Sequence, residues 1–142
     1  MRIFFMILLC LSVETGLSQD LSTYRWEHRL MLILSESPAD TTALTLIDAL
    51  RNEPADLLER RLQIYHLTSD VAHKMYPDHQ RIDVPSAYAK YHRSGESFEL
   101  LLIGLDGGIK MYETSMVDLQ LIWDKIDSMP MRQSELRSGG GG

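Results

Sequence analysis

Apolar and polar positions divide the chain into short blocks, each with its own period. Arg29-Leu30-Met31-Leu32-Ile33-Leu34-Ser35 is nearly continuous in apolar residues, and so is Leu100-Leu101-Leu102-Ile103. Runs of this length without alternation predict strands buried on both faces. Leu62-Gln63-Ile64-Tyr65-His66-Leu67 predicts another. Asp106-Gly107-Gly108 separates the Leu100 run from the alternating Ile109, Met111 and Glu113. That spacing predicts an antiparallel hairpin, because glycine accepts the positive φ of a tight turn without steric cost.

Between the strands the period lengthens to that of a helix. Leu44, Ile47 and Leu50 form one stripe behind Ser37-Pro38-Ala39-Asp40, with Asp40 or Thr41 as the cap. Pro54 opens a second, short helical turn carrying Leu57 and Leu58. Asp83 and Pro85 mark the start of a helix over Ser86 to His92. Ser115-Met116-Val117-Asp118 reads as a variant capping box before Leu119, Ile122, Trp123 and Ile126. Pro130 ends that helix, since it disfavours helical geometry at Met129, and Met129 and Met131 are expected to close over the sheet. Ser69 to Asp83 carries no clear period.

The resulting order is β-α-β-α-β-β-α. A helical crossover pairs its two strands in parallel with a right-handed connection, whereas the final hairpin is antiparallel. The predicted fold class is therefore α/β: a thioredoxin-like three-layer sandwich with a mixed four-stranded sheet and helices on both faces.

Composition narrows the function. The 142 residues are 44% hydrophobic and 24% charged, with a formal net charge of −6. A dispersed acidic balance argues against a nucleic-acid surface, which shows a clustered basic excess. Met1 to Leu11 sets one arginine before an apolar run of roughly ten residues, the layout of a secretory signal, and a membrane span needs about 20. Gly16-Leu17-Ser18 supplies small residues for cleavage before Gln19. The expected organisation is a signal peptide over 1–18, one domain over 19–137 and a flexible glycine tail over 138–142, in a periplasmic or secreted protein with no stable membrane span after signal removal. Cys10 is the only cysteine. It falls in the predicted signal, so the mature chain is expected to lack thiol chemistry and sulfur-bound metal.

Three blocks carry a resemblance: Tyr24-Arg25-Trp26-Glu27-His28-Arg29, Leu102-Ile103-Gly104-Leu105-Asp106-Gly107-Gly108-Ile109-Lys110, and Ile126-Asp127-Ser128-Met129-Pro130-Met131-Arg132-Gln133-Ser134-Glu135-Leu136. Together they resemble a domain-of-unknown-function family of exported bacterial proteins, related to the C-terminal domains of equarin and the sushi-repeat-containing matrix proteins (the P-DUDES group). The resemblance spans essentially the whole mature chain and implies a thioredoxin- or peroxiredoxin-like fold without an established activity. Arg61 departs from it, standing where such sequences commonly follow Arg60 with aspartate.

In a thioredoxin-like enzyme the nucleophile follows the first strand, which here is Ser35-Glu36-Ser37-Pro38. A serine hydroxyl cannot cycle with a disulfide, and the sequence shows no histidine paired to it. His66, His73 and His79 with Asp70 and Asp78 match no compact metal spacing, so neither a metal nor another cofactor is predicted. Arg29, Arg60, Asp106, Lys110 and Arg132 flank the resembling blocks. They are the candidate binding residues, with Arg132 as a planar donor fork; the structural alternative has Asp106 shaping the turn and Arg132 pairing with Glu135. The expected function is a noncatalytic binding or structural module whose partner is an unknown protein or a small anionic ligand. The alternatives are a peroxiredoxin-like oxidoreductase working through another residue or a metal, and a dedicated anion-binding module.

Overall fold

The computed structural model of the protein describes residues 21–82 and 87–139. The predicted signal segment and the Asp83–Pro85 helix start lie outside these residues. A single 3-10 turn, Leu21–Tyr24, precedes strand β1 (Arg29–Ser35). Helices α1 (Thr41–Arg51) and α2 (Pro54–Glu59) lead to β2 (Leu62–Leu67). Two short strands, β3 (Ala72–Tyr76) and β4 (Gln80–Ile82), come before α3 (Ala87–Tyr91). The hairpin β5 (Phe98–Ile103) and β6 (Ile109–Glu113) is followed by α4 (Leu119–Asp127) and α5 (Pro130–Gly139).

The sheet is mixed, with strand order β4-β3-β2-β1-β5-β6. β1 runs parallel to β2 and antiparallel to β5. The predicted core of four strands is present, but the sheet has six. β3 and β4 extend it beyond β2, and their mixed exposure explains why polar His73, Lys74, Gln80 and Arg81 hid them. Every residue of β1, β2 and β5 is buried, as continuous apolar runs require when both faces are covered. One face packs Met31, Ile33, Ile64, Leu100 and Leu102 against α1, α2 and α4. The other packs Leu30, Leu32, Leu34, Tyr65 and Leu101 against Leu21 and α3.

Local signals set the helix ends, with some shifts from expectation. Asp40 caps α1, its Oδ1 accepting from Ala43 N at 2.8 Å. The buried stripe of α1 is Ala43, Leu46, Ile47 and Leu50, while Leu44 is exposed, so the face lies a fraction of a turn from the predicted one. On α2, Leu57 is buried and Leu58 is exposed. Asp118, not Ser115, caps α4, accepting from Gln120 N at 2.8 Å. Helix α4 ends at Asp127, and Pro130 then opens α5, where its missing N–H costs nothing. The predicted tail from Ser138 thus begins inside a helix that runs to Gly139. Met129 is buried, but Met131 is 39% exposed, so only the first of the two closes over the sheet.

Arg61 follows the α2 C-cap, Arg60, and adopts φ +50°. This is the left-handed position that ends many helices, and Gly or Asn fills it with least strain, with aspartate also tolerated. The aspartate implied there by the family resemblance has a backbone reason. Arg61→Gly is expected to stabilise the domain by up to about 1 kcal/mol, relief of left-handed strain exceeding the entropy of the added glycine. Urea unfolding reads this as a raised midpoint with an unchanged slope.

Candidate functional site

The first place to seek chemistry in this topology is the carboxyl end of β1 and β2, where parallel strands of α/β folds open toward ligands. Ser35 closes β1, and the β1–β2 register sets Ile33 beside His66. The two side chains meet: Ser35 Oγ lies 2.7 Å from His66 Nε2, both residues being buried. This corrects the expectation that no histidine pairs with the serine. The fold brings together residues 31 apart in sequence, a pairing that only strand register reveals.

The arrangement does not activate the hydroxyl. Ser35 Oγ is also 2.7 Å from the Ser37 carbonyl. A hydroxyl has one proton and a carbonyl can only accept it, so His66 Nε2 is left to donate to Oγ. Burial, and then His73, hold the His66 pKa below its ordinary value, against the pull of Asp40. A neutral imidazole with its proton on Nε2 offers the serine no lone pair, as a general base must. The pair ties the β1 end to β2 instead.

The opposite end of the sheet gathers charge. Arg29, Arg60 and Arg132 are all buried and converge from β1, the α2–β2 junction and α5. Asp127 accepts from Arg60 Nε at 3.1 Å and Nη2 at 2.8 Å, and from Arg132 Nε at 3.1 Å. Glu135 accepts from Arg29 Nη2 at 3.2 Å and from Arg132 Nη1 at 3.3 Å. Arg60 also donates to Asp56 Oδ1 at 2.6 Å and lies 5.0 Å over the Trp123 ring. Arg132 reaches both the Glu59 carboxylate and the Glu59 carbonyl. Burial opposes ionisation of Asp127, but hydrogen bonds from Arg60 and Arg132 outweigh it and hold its carboxyl below the usual range. Three of the five candidate cations and anions are thus spent on four protein carboxylates, which makes this cluster a clamp between the first strand and the last two helices.

The remaining two, Asp106 and Lys110, pair at 2.8 Å in the hairpin turn. Asp106 Oδ1 also accepts from Gly108 N at 2.9 Å, and Gly107 has φ +81°. Arg29, Asp106 and Lys110 line a common cavity of about 170 Å³ together with Met129, Pro130 and Met131. His73 and His79 meet edge to face at 5.3 Å, with His73 opposite His66 in the β2–β3 register. Among the described residues no three His, Cys, Asp or Glu side chains are grouped to hold a metal ion, and no helix is long and apolar enough to cross a membrane.

One feature had no sequence signal. Glu99, on β5, is buried and its carboxylate is enclosed by the chain ahead of it. It accepts from Arg93 N at 3.0 Å, Ser94 N at 2.9 Å and Ser94 Oγ at 2.9 Å. His92 Nδ1 adds an ion-pair distance of 2.9 Å without the alignment of a hydrogen bond. Burial raises the Glu99 pKa, and the Ser94 and Arg93 amides more than reverse that. Glu99 therefore fixes the α3–β5 loop and, with it, the direction in which Arg93 leaves the backbone.

A family described as a domain of unknown function, DUF4174, matches residues 20–135. The chain belongs to this family. The DUF4174 domain is 26% identical over 138 residues to coiled-coil domain-containing protein 80 of Danio rerio, covering 85% of this chain and 16% of that protein. It spans about a sixth of that relative's length. Two solved structures share its fold. A 2-Cys peroxiredoxin of Plasmodium vivax superposes with a TM-score of 0.61 at 12% identity, over 82% of this chain and 72% of the other. The mitochondrial 2-Cys peroxiredoxin of Plasmodium falciparum gives 0.57 at 15% identity, over 82% and 83%. The DUF4174 domain therefore has the peroxiredoxin-like variety of the thioredoxin fold.

Proposed function

We propose that this domain is a noncatalytic binding or structural module of an exported protein, built on a peroxiredoxin-like frame. One observation carries the reading. At the end of β1, where a thioredoxin-like enzyme places its nucleophile, Ser35 is buried and its proton is committed to the Ser37 carbonyl, with His66 donating to the same oxygen. The peroxide-reducing step needs a thiolate that can be oxidised, and a hydroxyl so held supplies neither the atom nor the access. The only cysteine, Cys10, lies outside the described residues and within the segment whose pattern is that of a removable signal.

The test is peroxide consumption by chain purified from the exported fraction, with and without chelator, beside a Ser35→Cys variant. The expected result is no turnover by the native protein. The Ser35→Cys thiol is expected to resist thiol reagents until urea unfolds the domain, because the position is only 2% exposed. Peroxide turnover by the native chain, lost on chelation or not, would overturn the reading.

A further inference from the structure

A second cavity, of about 290 Å³, lies between the Leu21–Tyr24 turn, α3 and the β5–β6 turn, away from the Ser35–His66 pair. Arg25, Lys90 and Arg93 all line it, together with His28, Tyr24 and Tyr91. None of the described residues lining it is acidic, although the protein as a whole carries a formal charge of −6. In a net-acidic protein, cations collected at one concavity make a local positive potential that draws anions.

The two arginines are placed there by separate devices. Trp26 N donates to the Leu105 carbonyl at 2.7 Å, which anchors the residue after Arg25 to the hairpin. The Arg25 guanidinium then lies against Gly107, where a Cβ would come within 2.7 Å of Arg25 Nε. Gly107 is required by its φ of +81°, and a Cβ there would also push the Arg25 guanidinium aside. Arg93 is set by the Glu99 carboxylate, which grips its amide and that of Ser94. That carboxylate is held by two backbone amides, the Ser94 hydroxyl and the nearby His92, and makes no ion pair with the Arg93 side chain. Among the described residues neither guanidinium has a side-chain ion pair, in contrast to the ion-paired Arg29, Arg60 and Arg132. His28 also lines the cavity; its ring packs edge to face on Tyr24, and its Nδ1 is buried within the protein without a hydrogen-bond partner.

We propose that this cavity binds a small tetrahedral oxyanion carried on an organic body, a phosphate or sulfate monoester, held by the Arg25 and Arg93 forks. Planar guanidinium donors suit such an anion because two parallel N–H groups meet two of its oxygens. Tyr24 and Tyr91 supply ring surface for the uncharged part of the ligand. The proposal deepens the reading of the domain as a binding module and gives that module a ligand class.

Phenyl phosphate, phenyl sulfate and inorganic phosphate are titrated calorimetrically into the whole chain at fixed ionic strength. Saturable binding of at least one monoester is expected, tighter than inorganic phosphate. Arg25→Gln and Arg93→Gln should each weaken it about tenfold or more, the loss of a charge-assisted hydrogen bond. Both variants should melt with the native protein, and Arg61→Gln, at a cation outside the cavity, should leave affinity unchanged. No saturable heat with either monoester, or affinity unmoved in both cavity variants, overturns the proposal. Inorganic phosphate binding as tightly as the monoesters overturns the organic body. None of these outcomes depends on the peroxide assay, so failure of the cavity and failure of the noncatalytic reading are read separately.

Discussion

Asp127→Ala is expected to cost about 3 kcal/mol of stability, the low end of the range for stripping a partner from buried charges. The lower end applies because Asp127 is itself about a third exposed and water screens part of the loss. Arg60 and Arg132, 8% and 4% exposed, lose the carboxylate they share. Each keeps a second acceptor, Asp56 for Arg60 and Glu135 for Arg132, so the domain is weakened and not abolished. Urea unfolding at neutral pH measures the loss. The pH dependence follows from the direction of the shift. The Asp127 pKa is depressed in the folded state, so its contribution is complete above the unfolded carboxylate range, near pH 4, and drains away as pH falls through the folded value. The variant should therefore lose less stability than the native chain across that acid window. An equal acid-side loss in both would remove Asp127 from the account.

Ending the chain after Ser128 should have the larger effect, abolishing cooperative unfolding at room temperature. The cut removes buried Met129, worth about 1.5–3 kcal/mol. It also takes away Arg132 and Glu135, leaving Arg29, 1% exposed, without a carboxylate. Native domains hold only about 5–15 kcal/mol in total. Arg29→Met in the shortened chain tests the cause. Recovery of a cooperative melt assigns the loss to the stranded guanidinium; a shortened chain that already melts like the full one would show that α5 is dispensable.

The central strands were legible because burial on both faces demands apolar runs such as Leu30 to Leu34, and a run this short between polar and turn residues is the length of a strand. The hairpin was legible because Gly107 answers a backbone requirement that few residues can meet. β3 and β4 were not, since half-exposed strands at a sheet end are free to carry His73, Lys74 and Arg81, and the period dissolves. Helix α5 escaped for a related reason. Pro130 to Gly139 has no apolar stripe, and it docks through Arg132 and Glu135, whose partners lie 73 and 106 residues away. The same distance effect concealed the Ser35–His66 contact and the cavity cations, which come from residue 25 and from residues 90 and 93. The residues that resembled a family drew attention to Arg29 and Arg132, which are buried and ion-paired, but a sequence cannot say whether a guanidinium meets a ligand or the protein's own carboxylates.

The Arg29–Glu135 ion pair joins the start of the first strand to the last helix at 3.2 Å. It ties the start of β1 to α5, the last helix of the described residues, through a guanidinium that is itself buried. Local opening of α5 would therefore part the Arg29 pair at the same moment, so the last helix and the start of the first strand should lose amide-exchange protection together.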